Sequence, residues 1–338
     1  MKPNLITHRQ WIWYNTLFIL EHIFGTRLSD KFFSGSRKRL QKSILSSPKM
    51  KDRGHTIPLS SFEFNSFEAF EAAYPNPLSS IAVFRGVAKN WPAHLKWNKD
   101  FFRSHYGSTP ISLIDNPGLV DPEHQNEFKK TNFEDYFKEV EKDKSKYLRF
   151  SRILDNNPEL LNDLDLEWLR KFKSGVNIGE QTFLFMGEDK TRTPMHAGLT
   201  HTLFIQIKGR KKWTIYHANE RIFIGAMAER FLYYRTNANP NNTEDENFPL
   251  LKYGSRYEFV LEEGDVLWMP SLYWHYIDNL TANIGVAFKF TNLPQSFQIT
   301  KAMTTLFFLA TKPTIIQSFI YNRKNKQDYV FSREAGGK

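Results

Sequence analysis

The spacing of apolar and polar residues changes character along the chain, and each change predicts a different kind of element. The opening stretch MKPNLITHRQWIWYNTLFILEHIFGTRL carries Trp, Phe and Ile at helical spacing, interrupted by Asn15, Glu21 and His22. It predicts an amphipathic helix packed on a core or a second subunit, too short in its apolar run to span a bilayer. No small-residue cleavage site follows it, so a signal peptide is not expected. Residues 34–56 are basic and Ser-rich and read as a surface connector. From Ile57 the pattern is mixed. A helix is expected near FNSFEAFEAAY, a strand at IAVFRGV, a helix near WNKDFFRSHYG and partial helix over 123–145. KYLRFSRIL (146–154) reads as a strand, and NNPELLNDLDLEWLRKF as an exposed acidic helical segment.

Past Gly179 the period shortens to two. QTFLFMG, HTLFIQI and KWTIY follow one another, the last two joined by the polar turn KGRK, which signals a hairpin. Residues 236–249 form a polar loop suited to a lid or rim, and EFVLEEGDVLWMPSLYWHYI and NIGVAFKFTN supply further strands. The sum is an all-β core over roughly 180–292, a barrel or jelly roll. After Pro294 the chain turns apolar and helical, with a break at Thr311-Lys312-Pro313 and an end, REAGGK, expected to fray. Four regions follow: 1–56 as N-terminal helix and connector, 57–178 as an α/β elaboration, 179–292 as the β core, and 293–338 as C-terminal helices.

Alternation within the core sorts the candidate chemistry. Over 196–206 one face carries His196, Gly198, Thr200, Thr202, Phe204 and Gln206, the other Ala197, Leu199, His201, Leu203 and Ile205. The first face is small and polar, as a ligand-holding barrel interior would be. NIGVAFKF splits likewise. Ile284, Val286, Phe288 and Phe290 form an apolar face, and Asn283, Gly285, Ala287 and Lys289 a small one ending in a charge. Lys289 therefore either meets an anion inside or faces water. His275, among aromatic neighbours, is either a packed core residue or the partner of His196. Trp268, Tyr273, Trp274 and Tyr276 are expected to crowd it and shape a semi-apolar pocket.

Composition narrows the chemistry. The chain has 338 residues, 41% hydrophobic and 15% aromatic, ample for a sizeable core. It has no cysteine, which excludes disulfides, thiolate metal sites and thiol catalysis and is compatible with a reducing, cytoplasmic setting. Any metal must rest on His, Asp or Glu. The net charge of +10 favours acidic partners or simply describes a basic surface, and no compact basic-aromatic motif of the nucleic-acid type is present.

FLFMGEDKTRTPMH followed by FIQIKGRKKWTIY, and LEEGDVLWMPSLYWHYI, resemble the JmjC/cupin-type oxygenases that use iron(II) and 2-oxoglutarate, in particular the asparaginyl hydroxylase of hypoxia signalling. The resemblance extends back to IAVFRGVAKNWPAHLKW. It implies a double-stranded β-helix core and a facial His-X-Asp/Glu…His triad holding iron(II), with open positions for 2-oxoglutarate and oxygen. His196 and His275 match the two histidines. Thr193 and Lys211 match the pair that holds the far carboxylate of 2-oxoglutarate, Tyr147 the accompanying phenol, and Thr202 a polar position beside it. The C-terminal helices are similar to those through which such hydroxylases form homodimers.

Two departures matter. Gly198 stands where the family has its carboxylate ligand, and Lys289 where the similar hydroxylase has a neutral amide. Three readings follow. In related halogenases Gly or Ala replaces the carboxylate and chloride or bromide takes its place, which His196-Ala197-Gly198 matches. Alternatively, a hydroxylase works with two histidines, aided by water or by Glu188 or Asp189. Or Lys289 fills the metal position and leaves a non-catalytic binding protein. A glycine at 198 could also answer to a turn needing positive φ. The substrate is left open among small molecules, amino acids and peptides. Arg149 and Arg152 are candidates to meet an acidic group, and Arg149, sharing a strand face with Tyr147, is the better placed.

Overall fold

The computed structural model describes residues 3–51, 54–59, 61–63, 67–74, 76, 79–114, 128–226 and 233–309. Two helices open the chain, α1 (His8–Phe24) and α2 (Thr26–Leu45). The elaboration follows as β1 (Ser61–Glu63), α3 (Phe67–Ala73), β2 (Ala82–Arg85), α4 (Pro92–Lys96), α5 (Lys99–Tyr106), β3 (Pro110–Ile114), β4 (Phe128–Asn132), α6 (Phe133–Lys142), β5 (Tyr147–Ser151), α7 (Ile153–Asn156) and α8 (Leu166–Arg170). The core comprises β6 (Ile178–Gly187), β7 (Arg192–Gly198), β8 (His201–Lys208), β9 (Lys211–Tyr216), α9 (Arg221–Ile224), β10 (Tyr233–Arg235), β11 (Arg256–Leu261), β12 (Val266–Met269), β13 (Trp274–Asn279) and β14 (Asn283–Thr291). The helices α10 (Leu293–Ile299) and α11 (Lys301–Leu309) end the described chain.

The strands form two sheets, ordered β1-β2-β12-β8-β14-β6-β5-β3-β4 and β10-β7-β13-β9-β11. Pairing is antiparallel throughout except between β1 and β2. This is the jelly-roll core the period-two pattern predicted, mainly β with helices on its outer faces. The alternation in β14 is kept. Ile284, Val286, Phe288 and Phe290 pack into a helix-facing cluster with Phe84, Trp168 and Phe172, while Ala287 turns inward with Phe204 and Phe183. The rings of Phe70, Trp168 and Phe172 meet fully buried Phe84 edge-on at 5.3–5.6 Å between centroids. Phe84→Ala is therefore expected to cost about 3–5 kcal/mol, read as a lowered urea midpoint with unchanged slope. A loss under about 1 kcal/mol would mean that this aromatic cluster does not hold the sheet.

Three expectations need correction. Residues 34–45 are not a connector but the second half of α2. Leu40 and Ile44, one turn apart, are buried against Ile6, Leu17 and Met50, while the basic residues stay outside. The segment 156–172 is not simply exposed: Leu160, Leu164, Trp168 and Phe172 recur every four residues and are all buried in the helix-facing cluster. The alternation drawn through 196–206 does not run unbroken either. The chain bends at Leu199–Thr200, so β7 and β8 lie in different sheets. The chain beyond Leu309, including the break at Pro313, lies outside the described residues.

The N-terminal helix packs on the barrel, as expected of its apolar face. Trp11, Tyr14 and Phe18 lie along one side of α1 and surround the buried Arg221 guanidinium, 4.8, 5.8 and 5.3 Å from the ring centres. Arg221 also donates to Asn15 and, at 2.8 Å, to Asn219. Beside it, α11 is tied to the core by the Tyr234 hydroxyl, which donates to the Met303 carbonyl at 2.7 Å. No helix among the described residues is long and apolar enough to cross a membrane. The polar loop 236–249 is tied to the core where Asn241 donates to Asp278 of β13 at 2.7 Å.

Candidate active site

Strand register brings the candidate residues together. His196 of β7 faces His275 of β13, and Thr193 faces Ile277. Residues three apart on a regular strand would point to opposite sides. A bulge between the two pairings puts Thr193 back on the face of His196. On the other flank of β13, Lys211, Trp213 and Ile215 pair with Asn279, Ile277 and His275. One inner face thus carries Thr193, His196, His275, Lys211 and Trp213. From the opposite sheet, Lys289 pairs with Thr202 and Gln181, Ala287 with Phe204 and Phe183, and Tyr147 with Gly187. The two faces meet at Lys211, whose Nζ lies 5.3, 5.9 and 5.0 Å from the ring centres of Tyr147, Phe185 and Phe204.

The histidine rings lie 4.0 Å apart, centre to centre. Each has its Nδ1 on a backbone carbonyl, His196 on Pro194 at 2.9 Å and His275 on Tyr273 at 3.1 Å. A carbonyl accepts only, so each Nδ1 carries the proton and each Nε2 keeps its lone pair. Both rings are held neutral. Burial, then His275, Lys289 and Arg149, push His196 far below its ordinary pKa. Burial, with Lys289 adding to it, lowers His275 to about 4. Two neutral imidazoles with free Nε2 atoms are a donor pair for a divalent metal. Among the described residues no group of three His, Asp or Glu side chains forms a metal cluster. Glu188, proposed as a substitute ligand, is instead bound to Lys99 at 2.5 Å.

Gly198 lies two residues past His196, opposite Tyr233. Its φ is not positive, so no turn demands glycine here. Among the described residues, a Cβ built on it would meet nothing nearer than Thr200 Oγ1 at 4.0 Å. Neither backbone conformation nor close packing explains the glycine, and room for a side chain is left open.

The Lys211 ammonium is wholly buried and accepted only by the Tyr147 hydroxyl, at 2.9 Å, with no carboxylate in ion-pair range among the described residues. Burial lowers its pKa, and Tyr147 partly offsets this. Burial pushes Tyr147 up, but Lys211 and Arg149 outweigh it and hold the phenol below its ordinary value. The Thr193 hydroxyl is near enough to assist that ionisation but makes no hydrogen bond of normal geometry. A buried ammonium, a phenol and an orphaned hydroxyl form a cradle for a carboxylate, which fits the far end of 2-oxoglutarate.

Lys289 is not fully exposed. It is half-buried, with Nζ 4.9 Å from the Phe150 ring centre and 5.8 Å from that of Phe183, and its charge reaches both histidines. Arg149 is buried beside Tyr147, whereas Arg152 is engaged with Asp155 at 2.5 Å and plays no part. Among the described residues no carboxylate bears on the charge states of His196, His275, Tyr147, Lys211 or Arg149. The expected aromatic wall is different. Trp268 stacks on His201 and meets Phe172 at a tilt in the helix-facing cluster, and Trp274 packs toward Tyr234. It is Trp213 that stacks on His275, at 6.0 Å, and Tyr233 that meets His196, at 5.9 Å. Trp213 was legible as the partner-strand residue two past Lys211. Tyr233 sits on a three-residue strand and carried no periodic signal.

Residues 77–296 match the model of the cupin-like domain. The chain belongs to this family, the JmjC/cupin group of iron(II)/2-oxoglutarate oxygenases. It is similar to a lysine-specific demethylase named JMJ30 of Arabidopsis thaliana, 24% identical over 237 residues that cover 68% of this chain and 54% of the relative. Lysine-specific demethylase 8 of Danio rerio is 24% identical over 227 residues, 66% of this chain and 56% of its own length. JMJD4 of Danio rerio, named a 2-oxoglutarate and iron-dependent oxygenase, is 23% identical over 138 residues, 37% of this chain and 30% of its own. The chain spans about half the length of the first two.

Proposed function

We propose that this cupin-like protein is an iron(II)/2-oxoglutarate-dependent oxidative enzyme in which a halide stands where the family places a carboxylate. The outcome would be halogenation of an unactivated carbon. One observation carries the reading: among the described residues Gly198, in unstrained backbone, leaves open space beside His196 in a pocket to whose charge no carboxylate contributes. His196 and His275 would hold iron through Nε2, and Lys211, Tyr147 and Thr193 would bind the far carboxylate of 2-oxoglutarate. When bound, the metal and cosubstrate supply an oxidant able to break an aliphatic C–H bond. The chain itself orients both imidazoles through Pro194 and Tyr273, offers cations to the anions it gathers, and dries the pocket with Phe183, Phe185, Phe204 and Trp213.

Lys289 supports a second reading. Its charge disfavours a further cation near the histidines, as a non-catalytic binding protein would have it. Anaerobic titration with iron(II) and 2-oxoglutarate, following the visible charge-transfer band, separates these. The halogenase reading predicts a band that tightens when chloride or bromide is added. A band indifferent to halide points to a hydroxylase, and no band at any concentration to the binding protein.

A further inference from the structure

We infer that the substrate of this pocket presents a carboxylate and that Arg149 binds it, an inference that rests on the iron/2-oxoglutarate reading above. A local break in β5 brings this part of the strand inside. Phe150 has φ of 54°, and the register against β6 slips between Leu148 and Ser151. On a regular strand Phe150 would share the outer face with Leu148. It packs instead among the inner residues, edge-on to Phe183 and Phe185 at 5.7 and 5.1 Å. A bulky residue at positive φ is held there at a cost, and such strain gathers at functional sites.

Arg149 is 6% exposed and its Nε has no hydrogen-bond partner. No carboxylate pairs with it among the described residues. Its neighbours are the Tyr147 ring, 5.6 Å from the guanidinium carbon, and, within electrostatic reach, Tyr233 and His196. A guanidinium does not shed its proton, so its burial has to be offset by an anion. Its planar fork suits a carboxylate in bidentate fashion. The other cations have separate places. Lys211 lies against Tyr147 at the cosubstrate cradle, and Lys289 lies over Phe150 and Phe183. Arg149 stands within electrostatic reach of His196 and of Tyr233, the residue that pairs with Gly198. A substrate anchored there would bring its reactive carbon toward the histidines. A cationic side chain would meet Arg149 and Lys289 together and be repelled.

The test is calorimetry under anaerobic conditions on the full chain loaded with iron(II) and 2-oxoglutarate. The probes are three N-acetylated tripeptide amides, Gly-Asp-Gly, Gly-Asn-Gly and Gly-Lys-Gly. The aspartyl peptide is expected to bind about tenfold or more tighter than the asparaginyl one, and the lysyl peptide not at all. Arg149→Gln should erase that preference while changing 2-oxoglutarate affinity less than about twofold, and Arg149→Lys should keep part of it. The inference is overturned if no probe binds, if the three bind alike, or if acid preference survives Arg149→Gln. It is also overturned if Arg149→Gln weakens 2-oxoglutarate about tenfold, which would make Arg149 part of the cosubstrate cradle and leave the reading above standing. Wild-type protein that takes up no 2-oxoglutarate would remove both.

Discussion

Lys211→Ala should abolish 2-oxoglutarate binding without unfolding the protein. The wild-type ammonium is buried with a phenol as its partner and, among the described residues, no carboxylate, so it carries an uncompensated desolvation cost until an anion arrives. Removing one member of a buried, hydrogen-bonded charge pair typically costs about 2–5 kcal/mol of binding, roughly 30- to 4,000-fold in affinity. Stability should move the other way from that of an ordinary core truncation. Lys211→Met, which keeps the volume and removes the charge, should melt at or above the wild-type temperature in the absence of ligand. Calorimetric titration with 2-oxoglutarate and a thermal scan check both halves. Near-normal affinity in Lys211→Ala would sink the assignment of the cradle, and a large drop in the melting temperature of Lys211→Met would make Lys211 structural.

Gly198→Asp should convert the two-histidine site into a three-ligand site. The described residues leave room, since the new Cβ would meet none of them nearer than 4.0 Å and the backbone is not in the left-handed region. Position 198 lies on the same strand face as His196. Loss of groups that merely support a metal ligand changes affinity about 10–100-fold, so a gained ligand should raise iron(II) affinity by about tenfold or more. The carboxylate would also take the place proposed for halide, and halide dependence should vanish. Iron titration with and without bromide reads both. Unchanged iron affinity would mean that position 198 does not border the metal, and persistent halide dependence would place the anion elsewhere.

The legible parts of this protein were those governed by strict period two. In β14 every second residue is large and apolar because one face packs on helices, and the small set between them makes room for inward side chains such as Phe204, whose ring a Cβ at Gly285 would strike. The pairing of His196 with His275 could be anticipated from a motif, but not their common side with Thr193, which depends on a bulge that no propensity encodes. The inward turn at Phe150 was equally silent, because a phenylalanine at positive φ contradicts its own preference. Other misses had a signal that local composition masked. Leu40 and Ile44 in a run of Lys, Arg and Ser, and Leu160, Leu164, Trp168 and Phe172 in an acidic stretch, keep helical spacing. There, charge described the exposed face and periodicity the buried one. Gly198 shows the limit of reading a residue by type alone. The sequence allowed a turn or a lost ligand, and the ordinary φ and open surroundings remove the first.

The central claim is that the space beside Gly198 holds an anion next to a metal on His196 and His275. Anomalous diffraction tests it most directly, on crystals grown anaerobically with iron(II), 2-oxoglutarate and bromide. The account predicts an iron peak between the two Nε2 atoms and a bromide peak adjoining it at Gly198. An iron peak whose position at Gly198 is filled by water would contradict the halide. Absence of iron, with the Lys289 ammonium lying against both histidines, would contradict the metal site itself.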